Sequence, residues 1–334
     1  MAERVLPVLD LTTAEADPGR FRAELRAATH EFGFFYLTGH RIPAERGTEL
    51  LALARRFFAL PDAAKQEISQ LRSPQFRGYS RLGGELTNGR VDWREQIDIG
   101  PEAEAIPDAQ GYWRLQGPNL WPSALPELRP ALRSWDESLA AVGRALLRHW
   151  AAALGASESF FDPSFTDRPV TLIKVVRYPG NAGNPQGVGA HKDSGVLTLL
   201  LVEPDSRGLQ VELSCGQWVD APPLPGAFIV NIGELLEVAT GGYLRATRHR
   251  VLAPEPGTDR ISIPYFLNPA LDARIPPLPL PPELAAAARG VTADPANPIF
   301  DTYGENAWKS RIRAHPDVAE RHHGIVANGP ARSY

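Results

Sequence analysis

The chain has 334 residues, 43% of them hydrophobic and 22% charged, with a formal net charge of -4. That composition fits a globular enzyme and excludes fibrous and disordered classes, and the lack of a basic excess argues against nucleic acid as a partner. Cys215 is the only cysteine, so an intramolecular disulfide and a thiolate zinc site are excluded, and it reads as a small packed or turn residue.

The opening MAERVLPVLDLTT has no signal-peptide apolar stretch, and no run approaches the ~20 apolar residues of a spanning helix. A cytoplasmic protein without membrane contact is the expectation. Residues 5–11 read as a strand. Asp17 and Pro18 then cap and start a helix to about residue 31, and residues 34–37 form a short apolar strand. Between residues 126 and 153, Leu128, Leu132, Trp135, Leu139, Val142 and Leu146 recur at spacings of three and four, which predicts a long helix with one apolar face. Gly155 stops it.

From residue 171 the texture changes to short runs rich in Val, Ile and Leu: 171–178, 196–202, 209–213, 227–232 and 260–266. Pairs such as Pro179-Gly180 and Pro225-Gly226 separate them. Short strands without intervening helices predict an antiparallel sandwich or jelly roll. One domain over residues 1–334 is expected. It comprises a mixed helix and strand region (1–165), a β core (171–270), a proline-rich connection, and a C-terminal tail and helix (276–334).

Within the β-rich half, GAHKDSGVLTLL sets His191 and Asp193 two residues apart. Side chains at i and i+2 of a strand share a face, so an imidazole and a carboxylate can meet at one ion. His249, in ATRHRVLAP, is a candidate third ligand from another strand. Two histidines and one carboxylate on one face of an octahedron leave positions open for other ligands, an arrangement suited to non-haem Fe(II).

Downstream, DRISIPYF places Arg260, Ser262, Pro264 and Phe266 on one strand face. An arginine fork with a serine hydroxyl beside it makes a carboxylate cradle. Tyr178, in LIKVVRYPG, can donate a hydrogen bond to the same carboxylate. The substrate pocket is expected between residues 76–96, the barrel mouth near Leu197 and Phe266, and the chain after Ile299. Arg77, Arg81, Arg90 and Arg94 in the first segment point to an acidic or strongly polar substrate group, and Arg81, in a glycine-rich loop, is the residue singled out.

These motifs, with LPVLDLTT, EFGFFYLTGHRIP, FFALPDAAKQE, GYSRLGGELTNGRVDWREQIDIGPE and GLQVELSCGQWVDAPPLPGAFIVNIGELLE in the same order, resemble the isopenicillin N synthase-like 2-oxoglutarate/Fe(II) dioxygenases along nearly the whole chain. The resemblance implies a mainly β protein with flanking helices around a double-stranded β-helix. It also implies iron on His191, Asp193 and His249, and the 2-oxoglutarate carboxylate on Arg260, Ser262 and Tyr178. Chemistry of this kind uses Fe(II), 2-oxoglutarate and O2. A ferryl species forms as CO2 and succinate are released, and a small-molecule substrate, such as one of secondary metabolism, is hydroxylated, desaturated or cyclised.

Two departures bear on that expectation. Val176 stands where many plant members have Asn, and no glutamine follows Gln217, whereas isopenicillin N synthase carries one near its C-terminus. Three alternatives stay open: an oxidase that puts its own substrate carboxylate on Arg260, a non-catalytic jelly-roll metal- or ligand-binding protein, and a zinc hydrolase. The sequence names neither the substrate nor the oligomeric state.

Overall fold

The apolar runs after residue 170 are strands, and all but that at 209–213 share a sheet with strands from the first half of the chain. A computed structural model of the chain describes residues 6–165, 169–180, 183, 186–292, 294 and 297–326. The first half contributes β1 (Val8–Asp10), β2 (Phe34–Thr38), β3 (Gly78–Ser80), β4 (Leu86–Thr87), β5 (Arg90–Val91) and β6 (Glu95–Ile99). The second contributes β7 (Val170–Pro179), β8 (Gln186–His191), β9 (Leu197–Val202), β10 (Leu209–Glu212), β11 (Trp218–Asp220), β12 (Phe228–Ile232), β13 (His249–Leu252) and β14 (Asp259–Asn268). An eight-stranded sheet runs β1-β2-β12-β9-β14-β7-β6-β3 and a four-stranded sheet runs β11-β10-β13-β8, while β4 and β5 form a separate pair. This is the jelly-roll architecture that the strand spacing predicted, and its pairings are antiparallel except that of β1 with β2.

The period of two decides which residues face which layer. On β14, Ile261, Ile263, Tyr265 and Leu267 join the core beneath the helices, whereas Arg260, Ser262, Pro264 and Phe266 line a cavity on the other face. β2 divides the same way, with Phe35 and Leu37 toward the helices and Phe34 and Tyr36 toward the smaller sheet.

Nine helices are described: α1 (Thr13–Ala16), α2 (Pro18–Glu31), α3 (Ala44–Phe58), α4 (Asp62–Gln66), α5 (Leu128–Ala153), α6 (Glu234–Ala239), α7 (Pro282–Ala287), α8 (Tyr303–Ala314) and α9 (Pro316–His323). Asp17 caps α2 as predicted, its carboxylate accepting from the Arg20 N–H at 3.0 Å, with Pro18 in the first turn. All six residues of the predicted apolar face on α5 are buried, and Gly155 follows the helix at φ 86°. Within α5, Gly143 permits close approach to β14, because a Cβ there would stand 2.6 Å from Leu267 Cδ2.

The apolar runs named from the sequence do not include β8 or β13, although the ligand argument had put His191 and His249 on strands. Gly187 and Gly189 hide β8, and β13 is only four residues long. Strand β1 is shorter than the predicted 5–11, and Val5 lies outside the described residues. Among the described residues, no helix is long and apolar enough to cross a membrane.

Candidate active site

Pairing of β8 with β13 sets His249 directly opposite His191, which places two imidazoles far apart in the chain side by side, with ring centroids 4.3 Å apart. Asp193 completes the group. It does not lie on the same strand as His191, contrary to the i, i+2 argument, because β8 ends at His191 and Asp193 belongs to the turn beyond. The start of α6 fixes that turn, with Glu234 N–H donating to the Asp193 carbonyl at 2.8 Å. Candidate ligand atoms of all three residues lie within 4.8 Å of one another, and Asp193 Oδ1 is 3.6 Å from Nε2 of each histidine.

Hydrogen bonding orients every donor. The Nδ1 of His191 meets the Gly189 carbonyl at 2.8 Å, and that of His249 meets the Thr247 carbonyl at 3.1 Å. A carbonyl only accepts, so each Nδ1 carries the proton and each Nε2 presents a lone pair to the center of the group. Asp193 Oδ2 accepts from Thr198 Oγ1 at 2.5 Å and Asn231 Nδ2 at 2.7 Å, which leaves Oδ1 for a metal.

Electrostatics favour cation uptake. Burial works against the Asp193 charge, but His249 and His191 outweigh it and hold the carboxyl well below its usual range. Burial, with the neighbouring His191, pushes His249 down to about 4. Burial also disfavours charge on His191, yet Asp193 overrides it and raises this histidine. The donor set of two neutral imidazoles and one carboxylate suits Fe(II).

On the same cavity lies the predicted carboxylate cradle. Arg260 and Tyr178 are cross-strand partners on β14 and β7, and the guanidinium carbon is 4.8 Å from the tyrosine ring centroid. Arg260 Nη1 donates to Ser262 Oγ at 3.2 Å. Arg260 is only 2% exposed, and among the described residues its Nε has no hydrogen-bond partner. A buried cation with an unmatched donor is costly unless an anion completes it, so the residues present fit a bound carboxylate.

The cavity has a volume of about 1200 Å³ and is bordered by residues 81–94 on one side and by α8 and α9 on another. Phe266 lines it, as expected, and Arg81 stands exposed at its rim. Leu197 does not line it. Strand alternation turns Leu197 toward α5, where it would lie 3.4 Å from a Cβ on Gly143, and Thr198 takes the cavity side. Sequence reading missed Thr198, Asn231, Glu237 and Arg311. An Asn on the cavity face of β12 was the one available signal, in PGAFIVNIGE.

Residues 6–124 match the family model described as non-haem dioxygenase in morphine synthesis N-terminal, and residues 170–269 match that of the 2OG-Fe(II) oxygenase superfamily. A 2-oxoglutarate-dependent dioxygenase from the fungus Dothideomycetidae sp. (strain 11243) is 35% identical over 336 residues, covering 95% of this chain and 91% of the relative. The chain belongs to the 2OG-Fe(II) oxygenase superfamily. This oxygenase is also 33% identical over 294 residues to a homoarginine-6-hydroxylase from Glycine max, across 82% of this chain and 88% of the relative.

Among solved structures, a protein of the 2OG-Fe(II) oxygenase family from Caulobacter crescentus superposes with a TM-score of 0.75 at 28% identity, covering 93% of this chain and 99% of that one. JOX2, solved in complex with 2OG, Fe and JA, gives 0.72 at 26% identity, covering 95% of this chain and 88% of that one. Fe(II), 2-oxoglutarate and O2 are thus the cofactor and cosubstrates of the oxygenase.

Proposed function

We propose that the oxygenase holds Fe(II) through His191, Asp193 and His249 and seats the distal carboxylate of 2-oxoglutarate on Arg260 and Ser262, with Tyr178 beside it, to hydroxylate, desaturate or cyclise a small molecule. The observation that carries this reading is Arg260, a buried guanidinium whose Nε is unmatched among the described residues, lining the same cavity as the His-Asp-His group. When bound, iron and 2-oxoglutarate supply the oxidising power, the cosubstrate being converted to succinate and CO2 as O2 is consumed.

The protein's part is positioning and electrostatics. Asp193 stays ionised, its Oδ2 anchored by Thr198 and Asn231 so that Oδ1 is fixed in direction. Both histidines are locked in one tautomer by backbone carbonyls. Arg260 selects a carboxylate by its fork, and burial from water strengthens that contact.

Adding 2-oxoglutarate to the anaerobic Fe(II) protein should produce the weak visible charge-transfer band of the chelate, and turnover should release succinate. Substrate oxidation at full rate without 2-oxoglutarate would instead favour the isopenicillin N synthase-like oxidase reading.

A further inference from the structure

Beside the metal group, the cavity has a wall of buried charge. Lys174 Nζ is 2.7 Å from Glu85 Oε1, Arg94 Nη2 lies 3.1 Å from both Glu85 and Asp92, and Arg311 pairs with Asp98. Three carboxylates thus face three cations. His315 touches the group at 3.8 Å from Glu85 and 3.9 Å from Asp98, and burial lowers it to about 4, so it is neutral near pH 7.

Arg77 is a fourth cation, and among the described residues no carboxylate reaches ion-pair distance of it. It lines the cavity at 5% exposure. The guanidinium's one hydrogen bond among the described residues is a long one, 3.4 Å from Nη2 to the Leu115 carbonyl, and Nε has no partner. Its place is specific, because the planar head stacks on Gly100, where a Cβ would come within 2.1 Å of Arg77 Cζ. Burial, next to Arg311, lowers its pKa to about 10, an effect that Asp98 and Glu102 oppose without cancelling.

Sheet register locates this head relative to the metal group. Thr198, which anchors Asp193, is opposite Phe266, which is opposite Leu172, and the pairing of Ile99 with Ile173 puts Gly100 next in the row. Three strand spacings of ~4.8 Å make about 14 Å along the sheet. Phe266 and Leu172, both lining the cavity, form the floor between.

We propose that Arg77 anchors a carboxylate of the substrate, which lies across Phe266 and Leu172 so that the carbon to be oxidised reaches the His191, Asp193 and His249 group. A buried positive charge with no carboxylate at ion-pair distance among the described residues matches an anionic group, and the guanidinium fork matches a planar carboxylate. The substrate class is therefore a small organic acid with an apolar span between its carboxylate and the oxidised carbon. The inference rests on the proposed metal and cosubstrate site for its orientation.

The test uses Mn(II)-loaded full-length protein under saturating 2-oxoglutarate, with octanoate, decanoate and 4-phenylbutyrate as probes, each beside its primary amide, and calorimetry as the readout. At least one acid should bind tenfold or more tighter than its amide. Arg77→Gln should abolish that preference, and Gly100→Ala, which keeps the charge but displaces the guanidinium, should reduce it severalfold. Affinity for 2-oxoglutarate and the visible band of the Fe(II) protein should stay at wild-type values in both variants.

No acid preference in the wild type, or an undiminished preference in Arg77→Gln, would overturn the proposal. If Arg77→Gln does not fold by circular dichroism, Gly100→Ala decides by the same criterion. Absence of the visible band in the wild type would count against the cosubstrate site instead, and the acid preference measured without 2-oxoglutarate would still judge Arg77.

Discussion

Lys192 and Glu237 are joined by an ion pair of 2.8 Å, and through it α6 braces the chain between His191 at the end of β8 and Asp193 in the turn beyond, two of the three candidate metal ligands. The other oxygen of Glu237 accepts from the Ala246 N–H at 3.1 Å, three residues before His249. One carboxylate thus ties together the two segments that supply His191, Asp193 and His249. Glu237→Ala should weaken metal affinity by roughly 10- to 100-fold, the usual effect of losing a partner that orients ligands. Glu237→Gln, which keeps an acceptor for Ala246 but loses the charge, should fall between. Titration of each variant with Fe(II) under anaerobic conditions checks the order, and equal affinities in all three proteins would show that Glu237 braces nothing relevant to the metal.

Metal uptake should release protons in a pattern set by the three environments. An ion needs both imidazoles neutral, and His191 is raised above its ordinary 6.5 while His249 is held at about 4. As pH falls below the His191 pKa, one proton competes with each metal ion, and affinity should drop about tenfold per pH unit. The second proton joins only near pH 4. Mn(II) titrations at several pH values from 5 to 8 should show affinity falling as the solution is acidified, the slope approaching one at the acid end. A pH-independent affinity over that range would remove His191 from the ligand set.

Much of this site was legible because strand chemistry has a short period. The shared cavity face of Arg260 and Ser262 followed from alternation on one strand, and the burial of Leu128 to Leu146 along α5 followed from helical spacing. Leu197 failed by one residue, and one residue is all that separates the two faces of a sheet. Arg81 was favoured for its glycine-rich loop, whereas Arg77 is the buried arginine of that segment with no acid at ion-pair distance among the described residues. Choosing between them required the ion pairs of Glu85, Asp92 and Asp98, which are long-range and leave no mark in the spacing of residues. For the same reason the pairing of His249 with His191 was a guess of residue type until β8 and β13 were seen side by side.

His315 makes stability depend on pH away from the metal. It is fully buried, at 0% exposure, and burial lowers it to about 4, with Lys174 and Arg311 opposing its charge while Glu85 and Asp98 support it. In the unfolded chain it titrates near its ordinary 6.5. Between those values the unfolded state binds the proton and the folded state does not, so this group's contribution falls as pH drops from 6.5 toward 4. A shift of that size corresponds to roughly 3 kcal/mol at full extent. Urea denaturation of the metal-free protein at pH 7.5 and pH 5 should show the loss, and His315→Gln should flatten it. An unchanged pH dependence in the variant would assign the effect to other groups.

Arg260→Lys tests the cosubstrate cradle most directly. The substitution keeps a positive charge at the base of the cavity but replaces the planar fork with a single ammonium, which cannot make two parallel bonds to a carboxylate. Each charge-assisted hydrogen bond lost costs roughly 1.5 to 3 kcal/mol, so apparent affinity for 2-oxoglutarate should weaken by about tenfold or more. Metal binding should be preserved, because Arg260 is on β14 in the large sheet while both histidines are on β8 and β13 in the small one. Anaerobic titration of the visible band with 2-oxoglutarate measures the first quantity, and iron content after gel filtration measures the second. Wild-type 2-oxoglutarate affinity in Arg260→Lys would mean that the cosubstrate carboxylate rests elsewhere. Loss of iron would mean that the residue supports the fold of the site rather than the cosubstrate.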